Sequence, residues 1–209
     1  MKFIPTDPSS PSDSTTNPAI ASERRGELEA LAGLVVESLG EDGSVGMNFI
    51  CTHNSRRSHM AQLWAAAAFS RAGVAGTETF SGGTEATAFH PNAVAAMRRA
   101  GWQIVAFNPV ENPVYQSTWG AGHEPIESFS KTFDHRSNPS DGFIAIMVCD
   151  DAAEACPLVA GAEHRVALTY VDPKVSDGTS EQEATYDERC AQIAREMVYL
   201  AGQVAEKMR

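Results

Sequence analysis

The stretch VGMNFICTHNSRRSHMAQLWAAAAFSRAG, residues Val45 to Gly73, decides how this chain reads. Val45 to Ile50 is a short, almost wholly apolar run, the pattern of a strand buried on both faces. Ser58 to Ala72 is rich in Ala with Leu, Met, Trp and Phe, and Gly73 follows as a stop, which predicts a helix. Between them lies a loop of Cys51, Thr52, His53, Asn54, Ser55, Arg56 and Arg57, giving Cys-x5-Arg-Ser at the point where a strand feeds a helix. A loop entering a helix N-terminus turns several backbone N–H groups toward one point, and with the helix dipole they cradle an oxyanion. Arg57 adds a planar two-pronged donor to the same anion. The same field stabilises a thiolate, so Cys51 is the candidate nucleophile. Thr52, His53, Asn54, Ser55, Arg56, Arg57 and Ser58 form the candidate oxyanion-binding set. Of these, Asn54, Ser55 and Ser58 are equally ordinary as turn and cap residues, and His53 and Arg56 as solvated rim residues.

Outward from this loop, strands and helices alternate. Ser22 is positioned to cap a helix with apolar residues at Leu28, Leu31, Val35 and Leu39, and Gly40 to stop it. Glu78 to Ser81 reads as a strand and Pro91 to Ala100 as a helix with Pro in its first turn. Phe143 to Val148 and Arg165 to Val171 read as further strands, and Glu183 to Met208 as a long amphipathic helix with Ile193, Met197, Leu200 and Val204 on one face. This order predicts an α/β fold with a parallel sheet flanked by helices. Residues 107–142 break the scheme, being rich in Pro, Gly, Asn and Ser, and are read as an insertion or lid. Residues 1–21 have little to bury and read as a disordered tail, leaving 22–209 as one catalytic domain.

Composition removes several classes of function. The formal net charge of −11 and pI near 4.9 oppose nucleic acid or an anionic membrane as partner, because such binding needs clustered cations. No run reaches the ~18 apolar residues of a membrane helix, and the start of the chain lacks a signal peptide's apolar stretch, so a cytoplasmic location is expected. With an acidic surface, an anion must be attracted by one tight local field. The four cysteines, in a reducing compartment, point to catalysis or redox chemistry rather than structural disulfides.

Two further groups fall at predicted strand ends. Asp172, followed by Pro173, comes after the last strand; in a parallel sheet the carboxyl ends of strands share one crevice, where a carboxylic acid is able to protonate a leaving oxygen. Asp-Pro is also a common turn. Cys149 and Cys156 frame Cys-x6-Cys after the preceding strand, a spacing with no second pair and hence no expected metal site. They read either as two small core residues or as a thiol pair serving Cys51. Were the segment helical, the two sulfurs would bond only after the backbone moves. Cys190, on the closing helix, reads as a core residue.

Taken together, CTHNSRRSHMAQ (51–62), SGGTEATAFHPNAVAAM (81–97), FSK (129–131), MVCDDAAEACP (147–157) and YVDP (170–173) resemble the thioredoxin-coupled arsenate reductases of the low-molecular-weight protein tyrosine phosphatase superfamily, over residues 45–205. The resemblance implies a four-stranded parallel sheet flanked by helices. It also implies Cys51 as nucleophile, an anion loop shaped by Asn54, Arg57 and Ser58, Asp172 as acid, and Cys149 and Cys156 as a redox relay. No bound cofactor is implied; the reductant would be an external thioredoxin-like thiol. The alternative is a phosphatase that hydrolyses phosphate monoesters through a phosphocysteine on Cys51, with the other two cysteines only protecting it. The absence of a tyrosine after Asp172 and Pro173 favours the reductase. A third reading is a silent oxyanion sensor that binds a protein through the tail or the 107–142 segment.

Overall fold

A computed structural model describes residues 19–108, 110–155 and 158–209. Its centre is a parallel sheet of four strands: β1 (Val45–Cys51), β2 (Thr77–Gly83), β6 (Phe143–Met147) and β7 (Ala162–Ala167), in the order β2-β1-β6-β7. The two inner strands are apolar nearly throughout because helices cover both faces, which leaves no solvated side for alternation. In register, Ile50 lies beside Met147 on one neighbour and Cys51 beside Gly83 on the other. The fold class read from the strand and helix alternation is thus the one observed.

Helix α1 (Ser22–Asp42) packs on β1 and α5 (Gln182–Lys207), burying Leu28, Leu31, Val35 and Leu39 as the spacing requires. Its ends differ from expectation. Ala21, not Ser22, is the N-cap, with no side-chain capping bond, and the helix runs through Gly40 to Asp42. The stop is Gly43, whose φ of 71° lets its N–H return to the Leu39 carbonyl. Gly40 stays helical, at the roughly 1 kcal/mol that an interior glycine costs. Helix α2 (Arg57–Ala72) is buried on almost every side between the sheet and α5, and its alanines allow that close approach. Helix α3 (Pro91–Arg99) carries Pro at its start. The strand expected at 165–171 begins and ends earlier, as β7, because its partners are Phe143 to Met147; residues 168–171 leave the sheet toward its carboxyl end.

The 107–142 segment holds more order than its composition suggests. β3 (Gln103–Ala106), β4 (Tyr115–Thr118) and β5 (Ile126–Ser128) make a small antiparallel sheet. The chain then runs beside the free edge of β2: the Gly83 N–H donates to the Lys131 carbonyl, and the Phe133 N–H to the Gly83 carbonyl. Asn138 reinforces this seam by donating to the carbonyls of Ser81, Thr132 and Phe133. Ser128, Ser130 and Lys131 are buried. Part of the segment is therefore the wall behind the anion loop rather than a flap above it.

Candidate active site

Residues 52–56 join the end of β1 to the start of α2, and their peptide groups are pinned from outside. The carbonyl of Cys51 accepts from the Thr84 N–H, that of Thr52 from the Glu85 N–H and that of Ser55 from the His90 N–H. The His53 carbonyl accepts from the hydroxyls of Thr87 and Ser130. In a trans peptide the N–H points opposite to the C=O, so carbonyls held outward turn the N–H groups inward. A pinned ring of donors at a helix N-terminus is an oxyanion cradle.

Inside the loop a chain of hydrogen bonds ends on Cys51. Asn54 is buried at φ 45°, a left-handed conformation that asparagine tolerates better than most residues. Its side-chain oxygen accepts the Lys131 N–H at 2.9 Å, and its amide donates to Ser58 Oγ at 2.9 Å. Ser58 Oγ lies 3.1 Å from Cys51 Sγ, and toward a thiolate, which only accepts, its hydroxyl is the donor. The arrangement stabilises negative charge on sulfur.

Arg57 and Asp172 meet. Arg57 Nη2 lies 2.6 Å from Asp172 Oδ2, and Nη1 donates to the Tyr170 carbonyl at 2.8 Å. The other Asp172 oxygen accepts the Lys174 N–H and caps the single 3-10 turn Pro173–Ser176. The chain leaving the carboxyl end of β7 thus brings a carboxylate to the loop, as the parallel topology requires. Two of the five guanidinium donors are engaged this way, which leaves three for a ligand.

The remaining expected residues divide. Thr52 faces the second thiol: its Oγ1 is 3.6 Å from Cys149 Sγ, which also accepts the Ala152 N–H at 3.4 Å. Cys149 is fully buried, two residues past β6 and immediately before helix α4 (Asp150–Ala155). The Val148 N–H bonds the Ile50 carbonyl, so the chain reaches Cys149 beside the strand that ends in Cys51. Cys156 lies outside the described residues. Ser55 is buried and serves the loop through its backbone. His53 turns outward to Glu85 at 2.9 Å. Arg56 is no solvated rim residue: its Nε donates to Tyr186 Oη at 2.7 Å and Nη2 to Asp177 at 3.1 Å. Sequence reasoning missed Asp177 and Tyr186, which act across long sequence separations, and met Ser130 only inside the FSK motif. Lys131 was visible only within a motif; burial lowers its pKa to about 8, against the smaller opposing pull of Glu127, and its ammonium sits 4.8 Å over the Phe129 ring. Cys190 behaves as a core residue, its thiol pushed up to about 12 by burial although it accepts from the Trp64 indole.

This fold is shared with known proteins. No protein-family model matches the chain. By structure it is similar to an arsenate reductase from Archaeoglobus fulgidus, with TM-score 0.50 and 19% identity over 75% of this chain and 98% of that one. A low-molecular-weight protein tyrosine phosphatase from Bacillus subtilis gives TM-score 0.51 and 16% identity over 79% and 100%. The fold is therefore the one common to low-molecular-weight phosphatases and arsenate reductases. Sequence narrows the kinship: proteins named arsenate reductase match from Bacillus licheniformis, 29% identical over 143 residues (68% of this chain, 83% of the relative), and from Bacillus subtilis, 28% over 145 residues (68% and 83%). The chain is a homologue of those arsenate reductases.

Proposed function

We propose that this protein reduces arsenate to arsenite through Cys51 and a dithiol relay of Cys149 and Cys156. The observation that carries the reading is a second thiol at the anion loop: Cys149 Sγ sits 3.6 Å from the side chain of Thr52, the residue next to Cys51. Ester hydrolysis itself has no step for a thiol in that place, whose role there would be confined to protecting Cys51 from oxidation.

Arsenate enters the ring of N–H groups and takes up free donors of Arg57. The Cys51 thiolate attacks arsenic, an As–O bond breaks, and Asp172 supplies a proton to the departing oxygen, which leaves as water. Cys149 then attacks Cys51 Sγ; an S–S bond forms, the S–As bond breaks, and its electron pair reduces As(V) to As(III), released as arsenite. Cys156 exchanges into the disulfide, freeing Cys51 and leaving Cys149 bonded to Cys156. An external thioredoxin-like dithiol supplies the two electrons that restore the thiols. Such a cycle belongs in the reducing cytoplasm. No helix among the described residues is long and apolar enough to cross a membrane.

The test is arsenite release with thioredoxin, thioredoxin reductase and NADPH, comparing wild type with Cys51→Ser, Cys149→Ser and Cys156→Ser. Turnover should need all three cysteines. The second reading, a phosphate-monoester hydrolase, draws on the Arg57 and Asp172 pair, which serves either chemistry. Ester hydrolysis that needs Cys51 and survives loss of Cys149 and Cys156, without arsenite production, would establish it instead.

A further inference from the structure

The two consecutive arginines of the anion loop hold the two ends of one turn. Arg57 pairs with Asp172 at its start, and Arg56 pairs with Asp177 just past its end. The two attachments are unequal. Arg57–Asp172 consists of groups that the chemistry needs elsewhere: the guanidinium for the anion, the carboxyl for the leaving oxygen. An oxyanion on the remaining Arg57 donors shares the positive charge and repels the carboxylate beside it, so the tether of the acid weakens.

Asp177 is held quite differently. Its Oδ1 accepts from Tyr186 Oη at 2.8 Å and from Asn92 Nδ2 at 3.2 Å, and its Oδ2 lies 3.1 Å from Arg56 Nη2. Arg56 Nε in turn donates to Tyr186 Oη at 2.7 Å, closing a triangle of Arg56, Asp177 and Tyr186. One carboxylate thereby joins α3, α5 and the anion loop. The Tyr186 side chain is rooted in the core, and His90, whose N–H bonds the Ser55 carbonyl, lies parallel to its ring at 6.1 Å. Partial burial would raise the Asp177 carboxyl, but Tyr186, Arg56 and Asn92 outweigh it and hold the group below the ordinary carboxylate range. Among the described residues, none of these side chains hydrogen-bonds or ion-pairs with Cys51, Ser58 or Cys149, so they position rather than react.

We propose that Arg56, Asp177 and Tyr186 form a latch that keeps the 172–177 turn, and with it Asp172, over the anion loop while Arg57 serves the bound oxyanion. They are positioning residues for the acid, and the inference rests on the Cys51 chemistry proposed above.

A double-mutant cycle tests it. With arsenate in the thioredoxin-coupled assay, Asp177→Asn should lower kcat about tenfold, as expected for a misplaced general acid, with KM within about twofold. Tyr186→Phe, which removes one hydroxyl from an otherwise intact core, should show a smaller loss of the same kind. In an Asp172→Asn background neither change should cost anything further. Equal losses in both backgrounds, or an unchanged kcat, would overturn the latch. A second measurement separates this from failure of the functional reading. With inorganic phosphate as the probe, hydrogen exchange of the peptide spanning 170–178 should stay slow in wild type and speed up in Asp177→Asn when phosphate is added. Exchange that phosphate leaves unchanged in Asp177→Asn would overturn the latch even if wild type shows no turnover that depends on Cys51.

Discussion

Lys131 shows how a single buried group shapes this site. Its backbone N–H fixes Asn54, while the residue is 5% exposed and its pKa is lowered to about 8 by burial. Between that value and the ~10.4 of an unfolded lysine, the unfolded chain binds more protons than the folded one, so this group's contribution to stability rises with pH across that window. Below pH 8 both states are protonated and the full penalty of the buried charge remains, on the order of 3 kcal/mol. Lys131→Met should therefore be the more stable protein at pH 7, and its advantage over wild type should shrink as pH goes from 8 to 10. Urea melts of the two proteins measure it; a stability difference independent of pH would show that the ammonium carries no such penalty. At this scale the sequence was informative where a motif coincided with a strand end, as for Cys51, Arg57 and Asp172. Lys131, Asp177 and Tyr186 act through partners 77, 121 and 130 positions away, and such pairs leave no local pattern to read.

Elements place these residues by close backbone approach. The end of β2 lies against the anion loop so tightly that a methyl group on Gly83 would fall 2.3 Å from the Glu85 carbonyl oxygen, 2.6 Å from the Asn54 nitrogen and 2.7 Å from the Thr52 carbonyl oxygen. All three are backbone atoms with nowhere to retreat. Gly83→Ala should destabilise by about 2–3 kcal/mol and, by shifting Asn54, lower kcat/KM for arsenate more than tenfold. Thermal melts and steady-state rates check both parts; a variant with wild-type activity would mean that the loop tolerates displacement. Alternation of helices and apolar strands was legible because it follows from burial on two faces. The β3-β4-β5 sheet was not, since its strands are three or four residues long and half exposed, too short for periodicity to emerge. Gly40 misled as a helix stop because a second glycine, Gly43, follows three residues on and takes the left-handed capping conformation instead.

The whole molecule works against its own ligand. A formal charge of −11 surrounds a site for an anion, so attraction comes from the loop at short range while the surface repels from afar. Raising ionic strength from about 10 to 150 mM, with a salt whose anion does not occupy the loop, should raise kcat/KM for arsenate about twofold as the surface is screened. A fall with salt would mean that long-range steering toward the loop dominates. Composition announced this conflict, but only the fold shows its resolution, with the N–H ring, Arg57 and the buried Lys131 gathered at one end of the sheet. The relay is the central claim, and it is tested most directly by trapping its intermediate. Cys156→Ser treated with arsenate and digested without reductant should yield a disulfide joining the peptides of Cys51 and Cys149, together with one arsenite per protein. Free Cys149 and no arsenite, from protein that still hydrolyses phosphate esters through Cys51, would contradict it.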